Sequence, residues 1–287
     1  MHHFLEQLPD DISQMIPSIQ TLARRFKRTA EGNIIDRPVF FLHVPKCGGT
    51  SVNVALREAY GLRSGMRVDL RGNVHHEAFY WLDAAASKSA ADAMQVPLHE
   101  HREHILIHEM SRSHKKYISG HFQFSEVAHR TYHDTYAFIT ILRDPVERWY
   151  STYFYNRDKT SDHFAIKDTL ENYVQSASAQ STGNLITHSF AGSDRSTDTM
   201  VASAIENLAK FDVVGVLEDL GAFKRDLRYV LGADIDIPIR NTSPTPAHQR
   251  RKEITPDIHR KVVALCRQDR EVYDYVANHL IGTSRAS

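Results

Sequence analysis

The sequence predicts an α/β protein of the three-layer, P-loop type, with a central, mainly parallel sheet flanked by helices. Three observations carry that expectation. Residues 39–44 and 136–142 are short apolar runs without polar alternation, the mark of strands covered on both faces. Each run ends in a loop that feeds an amphipathic helix. Strand and helix patterns then alternate along the chain instead of clustering by type.

Composition narrows the class further. The 287 residues are 41% hydrophobic and 24% charged, an ordinary balance for a globule with its own core. Lys plus Arg equals Asp plus Glu, 35 against 35, so no global basic field speaks for nucleic acid. An anionic ligand must be caught locally. The two cysteines, Cys47 and Cys266, are too few for a disulfide framework and suit a reducing, cytoplasmic setting. No apolar run reaches the roughly 18 residues of a membrane span, and the acidic N-terminus lacks the pattern of a secretory signal.

Apolar residues from Ile12 to Phe26 recur at three- and four-residue steps, predicting a helix over about 10–29, interrupted at Pro17. Packing on the domain is favoured over lying on a membrane, although Arg24, Arg25, Lys27 and Arg28 would suit either. Val39–Val44 predicts the first buried strand. Pro45–Thr50 forms a loop, and Ser51–Tyr60 a helix stopped by Gly61. Within 61–116, Ala78–Met94 is partly helical and Ile105-Leu106-Ile107 reads as a short strand. Tyr117–Phe122 is a strand end running into a loop. Tyr136–Leu142 is the second strong strand, and Pro145 suits the first turn of the helix that follows. Further helices are expected at 166–178, 199–210, 219–231 and 256–280, with a strand at Asp212–Leu217. Asn241–Lys252 is a polar loop long enough to have a function.

Two segments carry chemistry. In His43-Val44-Pro45-Lys46-Cys47-Gly48-Gly49-Thr50-Ser51, a glycine loop joins a buried strand to a helix N-terminus. Successive N–H groups there form an anion-binding concavity, favoured by the helix dipole. Lys46 adds a mobile charge, and Thr50 and Ser51 add hydroxyls. The Walker pattern is absent, because the lysine precedes the glycines. The second segment runs from Arg143-Asp144-Pro145 to Ser151. Arg143 ends a strand on the side where open α/β sheets bind ligands, and its guanidinium can fork two phosphate oxygens. Ser151 lies a little over two helical turns on; whether it meets the same phosphate depends on how the helix enters.

Together these segments resemble the sulfotransferases that use 3′-phosphoadenylyl sulfate (PAPS), especially the carbohydrate enzymes akin to the heparan/uronyl 2-O- and 6-O-sulfotransferases and their bacterial relatives. Chain length favours a single α/β domain over 1–287, and the resemblance in general order extends over roughly 38–280, with no counterpart for 61–116. The resemblance implies Lys46, Cys47, Gly48, Gly49, Thr50 and Ser51 at the 5′-phosphosulfate, with Arg143 and Ser151 at the 3′-phosphate. It also implies a histidine base shortly before the second strand, a place held by His121 in Gly120-His121-Phe122. Looser echoes are Asn184–Thr187, Val214–Glu218 and the 241–252 loop. Cys47 replaces a small residue or threonine, and Ser119 stands where the 2-O enzymes can carry a second histidine. The Golgi enzymes' anchor has no counterpart, which suits a soluble, bacterial-type enzyme.

The implied reaction moves a sulfuryl group from PAPS to an acceptor hydroxyl, on a carbohydrate or glycoconjugate, releasing 3′-phosphoadenosine 5′-phosphate (PAP). His121 is the general base, Lys46 stabilises the leaving phosphate, and no metal is expected. His43, His75, His76, Glu77 and Glu109 are the other base candidates. His99, His101, His104 and His108 admit a zinc reading, disfavoured by the lack of a cysteine partner. A P-loop kinase or NTPase is a rival, needing Mg²⁺ held by a hydroxyl such as Thr50 and a strand-end Asp. A non-catalytic nucleotide-binding module is another. Trp81 and Trp149 suit core or sugar platform equally, and Asn184 and Arg195 are possible acceptor contacts. Acceptor identity and oligomeric state are not encoded legibly.

Overall fold

A computed structural model describes residues 21–62, 67–68, 74–75, 79–82, 84–112, 116–159, 165–193, 196–238 and 247–281. Five strands form the main sheet. These are β1 (Val39–Leu42), β4 (Phe79–Trp81), β5 (Tyr117–Gly120), β6 (Ala137–Leu142) and β7 (Val213–Val216). Their order is β4-β5-β1-β6-β7, and every pairing is parallel. The remaining strands, β2 (Arg67–Val68) and β3 (Val74–His75), make a separate antiparallel pair.

From β1 the chain passes to the edge strand β4, comes back to place β5 between β4 and β1, then crosses β1 to add β6 and β7. The loops after β5, β1 and β6 therefore lie side by side at the strand C-termini, where the winding reverses. In register, Leu42 stands between Gly120 and Thr140.

Helices cover both faces. They are α1 (residues 21–30), α2 (Gly49–Ala59), α3 (Ala84–Met94), α4 (Leu98–Ser111), α5 (Glu126–Tyr132), α6 (Pro145–Arg157) and α7 (Leu170–Tyr173). They continue with α8 (Ala177–Gly183), α9 (Leu185–Phe190), α10 (Met200–Leu208), α11 (Leu220–Leu231), α12 (Ala247–Glu253), α13 (Pro256–Leu265) and α14 (Arg267–His279). Successive strand residues point to opposite faces, so Phe40 and Leu42 enter one core while Val39 and Phe41 enter the other. The first core includes Phe190, Leu208 and Val272; the second includes Val52, Leu56, Phe223 and Leu227. Both faces being dry explains why these strands carry no polar alternation. A third cluster packs Trp149 and Tyr153 of α6 against Tyr173, Val262 and Cys266.

Several expectations need correction. Ile105-Leu106-Ile107 is not a strand; it lies inside α4, where Leu106 and Met110, four residues apart, are buried. The β-branched pair misleads, because tertiary packing of one helical stripe overrides local β preference. Ala78–Met94 divides into β4 and α3. The helix expected at 256–280 is two helices meeting at Cys266, and 166–178 holds α7 and the start of α8. Of the helix expected at 10–29, residues 10–20 fall outside the described ones. In the remainder, Arg24 bonds Glu58 at 2.8 Å, Arg25 donates to the Arg57 carbonyl at 2.8 Å and Arg28 to the Asp234 carbonyl at 2.6 Å. These arginines face the protein.

A buried ion pair ties four helices behind the sheet end. Arg148 of α6 and Asp269 of α14 are both 0% exposed, 3.5 Å apart. Asp269 also accepts from the Ile186 and Thr187 N–H groups, at 2.9 and 2.8 Å, and from the Thr187 hydroxyl, capping α9. Arg148 donates to the Thr182 carbonyl. Burial pushes the Asp269 carboxyl upward, and Arg148 with these donors pulls against it.

Candidate functional site

The loop after β1 is shaped by two residues in the left-handed region, Lys46 at φ 66° and Gly48 at φ 76°. Such a conformation is easy for glycine and strained for lysine, so the loop imposes it. Gly48 is the N-cap of α2 and no side chain caps that helix start. The first N–H groups of α2 are thus presented at the loop, as an anion site requires. Gly48 also sits against Leu217, whose Cδ1 would be 2.8 Å from an added Cβ. Gly49 has a different reason: a Cβ there would overlap the His43 ring. Thr50 is exposed, whereas Ser51 is buried.

Cys47 points away from this cradle. Its side chain is buried in the core, 3.7 Å from the Pro45 carbonyl, and burial pushes the thiol up to about 12. It contributes backbone to the loop and no reactive sulfur.

Lys46 leans over the next strand's helix. Its Nζ lies 3.5 Å from the centroid of the Tyr155 ring on α6. Burial, then the charges of Arg143 and Lys159, lower its ammonium to about 8. Lys46 and Arg143, distant in sequence, therefore belong to one electrostatic neighbourhood. Arg143 follows β6, is 24% exposed and pairs with Glu147 at 3.6 Å. Asp144 caps α6, accepting from the Glu147 N–H at 2.9 Å, while its own N–H donates to Glu218 at 3.1 Å. The other Glu218 oxygen accepts from the Tyr273 hydroxyl at 2.9 Å. A strand-end Asp occupied as a cap is poorly suited to holding the Mg²⁺ of an NTPase. Ser151 lies on α6, partly buried.

On the other side of β1, His121 follows β5. Its Nδ1 is 2.7 Å from the His43 carbonyl oxygen. A carbonyl only accepts, so Nδ1 carries the proton of the neutral ring and Nε2 is the basic nitrogen. The two imidazoles are 4.7 Å apart. Arg102 of α4 donates to the His121 carbonyl at 2.9 Å and to Ser87 at 3.1 Å, bracing the loop from outside the sheet. Burial lowers the His121 imidazole, and its bond to His43 works the other way. His43 is pushed further, to about 3, by burial and then by His121 and Lys46. A ring so reluctant to take a proton is a poor general base.

The remaining candidates separate from this constellation. Glu109 is buried on α4, pairs with Arg112 at 3.3 Å and acts on Tyr136 at the opposite end of β6. His76 and Glu77 lie outside the described residues, as does Arg195. His75 falls on β3. Trp149 is no sugar platform: it is fully buried and donates its indole N–H to the Ala179 carbonyl at 3.0 Å. Asn184 sits at the α8–α9 junction. His99, His101, His104 and His108 lie along α4, and among the described residues no group of three or more metal-ligating side chains has the geometry to hold an ion. Of the loop expected at 241–252, residues 241–246 lie outside the described ones, and 247–252 are not loop but part of α12.

Sequence reasoning missed Tyr155, Lys159, Arg102 and the bridging role of Glu218. Tyr155 had a usable signal, standing four residues after Ser151 on the same helical face. Lys159 follows Tyr155 by the same four-residue step, whereas Arg102 and Glu218 act through contacts distant in sequence.

Among the described residues, no helix is long and apolar enough to cross a membrane. Comparison with characterised proteins gives no significant match. The family comparison does: residues 35–276, from just before β1 to near the end of α14, match the sulfotransferase family. That span contains the glycine loop, His121 and Arg143 in their strand-end positions, and the chain belongs to the sulfotransferase family.

Proposed function

We propose that the chain transfers the sulfuryl group of PAPS to an acceptor hydroxyl, with His121 as general base. The observation that carries this reading is the convergence of three loops on one sheet end. Lys46 follows β1, Arg143 follows β6 and shares its electrostatic neighbourhood, and His121 follows β5, held to the β1 end through His43.

PAPS supplies an activated sulfuryl group joined to a phosphate that leaves with the bonding electron pair. The loop N–H groups from Cys47 to Thr50, the Thr50 and Ser51 hydroxyls and Lys46 take the 5′ side. Arg143 and Ser151 take the 3′-phosphate. Fixed N–H dipoles and an ammonium act where negative charge accumulates, and need little rearrangement to do so. His121 Nε2 accepts the acceptor's hydroxyl proton as the oxygen bonds to sulfur. The His43 carbonyl holds the tautomer for that transfer and stabilises the imidazolium once formed. Lys46, as a cation, balances the charge on the departing phosphate.

The carbohydrate or glycoconjugate acceptor rests on the likeness of the two motifs to the carbohydrate enzymes. The test is transfer of labelled sulfate from PAPS to oligosaccharides, glycolipids and small phenols, beside thermal shifts with PAP, ATP and GTP. A donor site for PAPS responds to PAP above both triphosphates and supports label transfer. Equal or stronger responses to ATP or GTP, with no transfer, would overturn the reading.

A further inference from the structure

The ring of Tyr155 carries two cations. Lys46 Nζ is 3.5 Å from its centroid and Lys159 Nζ 5.0 Å. An aromatic face attracts an ammonium through its quadrupole, and the attraction is stronger where water is partly excluded. Tyr155 is 48% exposed, so the ring is not an ordinary member of the core. It lies on the same face of α6 as Ser151, one turn further on. Lys159 lies just beyond the end of α6 and presses on Lys46 as a like charge. Lys46 and Lys159 share this half-exposed ring, and Arg143 is near enough to act on Lys46 as a like charge, a grouping that suits a ligand bearing several negative charges.

The geometry points to Tyr155 and Lys159 as further parts of the donor site. Tyr155 is a positioning residue that seats the Lys46 ammonium, and Lys159 is a third cation on the phosphosulfate side. This rests on the PAPS reading above. An ammonium resting on a ring meets it with one side and keeps N–H donors for an anion opposite, so the seat positions Lys46 without consuming it.

The test has two arms. In the first, lysines are dimethylated with ¹³C-formaldehyde and the Lys46 resonance, assigned by its loss in Lys46→Arg, is titrated without ligand. Tyr155→Leu removes the ring and lowers the Lys46 midpoint. Lys159→Gln removes a neighbouring positive charge and raises it. Tyr155→Phe keeps the ring and restores the wild-type midpoint. In the second arm, calorimetric titration with PAP shows roughly threefold to tenfold weaker binding for Tyr155→Leu and Lys159→Gln, the range of one partly exposed cation–π or charge contact. Melting temperatures near wild type confirm folding, as expected for positions off the core.

Midpoints unmoved in both variants, or PAP affinities equal to wild type, would overturn the proposal and leave the PAPS reading standing. Failure of the wild-type protein itself to bind PAP would sink that reading, and the assignment of the cluster to a donor with it.

Discussion

The imidazole of His43 fills the space that a side chain at position 49 would need. Gly49 is therefore required by packing against the strand end as well as by the approach of an anion. Gly49→Ala should destabilise the fold by about 1–3 kcal/mol, the range for overpacking a filled site, and weaken PAP binding. Combining it with His43→Ala should recover much of that stability, because the added methyl then has room. A double-mutant cycle in urea measures the coupling; additive effects would place the clash elsewhere.

His121→Ala should lower turnover by about a hundredfold or more while PAP affinity survives, since a general base acts on the acceptor proton and not on the donor. Turnover is read by sulfate transfer and affinity by calorimetry. Near-normal turnover would remove His121 from the mechanism.

Arg143→Ala should weaken PAP binding by about 10- to 100-fold, as loss of charge-assisted hydrogen bonds to a phosphate does. The effect should shrink for an adenosine 5′-phosphate lacking the 3′-phosphate. An unchanged dissociation constant for PAP would contradict the assignment.

The pH profile of kcat/KM should be bell-shaped. Activity is lost as pH falls through the His121 value, which burial sets below the ordinary histidine range, because a protonated ring cannot accept. It is lost again as pH rises through the Lys46 value of about 8, because the ammonium becomes neutral. Lys46→Arg should move the alkaline limb upward, as guanidinium stays charged.

Stability follows from His43. Its folded value of about 3 lies below the roughly 6.5 of an unfolded histidine, so the unfolded chain binds the extra proton between them. The contribution is complete above about pH 6.5 and drains away as pH falls toward 3. The drop in urea midpoint from pH 7 to pH 4 should be smaller in His43→Asn than in wild type.

The parts legible in the sequence were those governed by local rules. Val39–Leu42 and Ala137–Leu142 announce themselves because strands dry on both faces are continuously apolar. The glycine loop and the Arg143-Asp144-Pro145 helix entry declare themselves through turn and capping chemistry. What failed depended on partners far along the chain. Ile105 and Ile107 suit a strand until α4 is seen packing Leu106 and Met110 inward. The break at Cys266 carries no glycine or proline; its thiol lies 3.6 Å from the Pro145 carbonyl, a contact between residues 121 apart in the chain. The anchoring of His121 runs through a backbone carbonyl, and every residue type offers one, so no residue pattern reports it.

Cys47 and Cys266 are both fully buried, and burial raises each thiol to about 12. Alkylating reagents attack thiolates, so the folded protein should resist them even with a cysteine inside its anion loop. The two sulfurs sit in different packed clusters, one against the sheet and one behind α6. Their separate rates of labelling would report, without any introduced cysteine, which half of the molecule opens first.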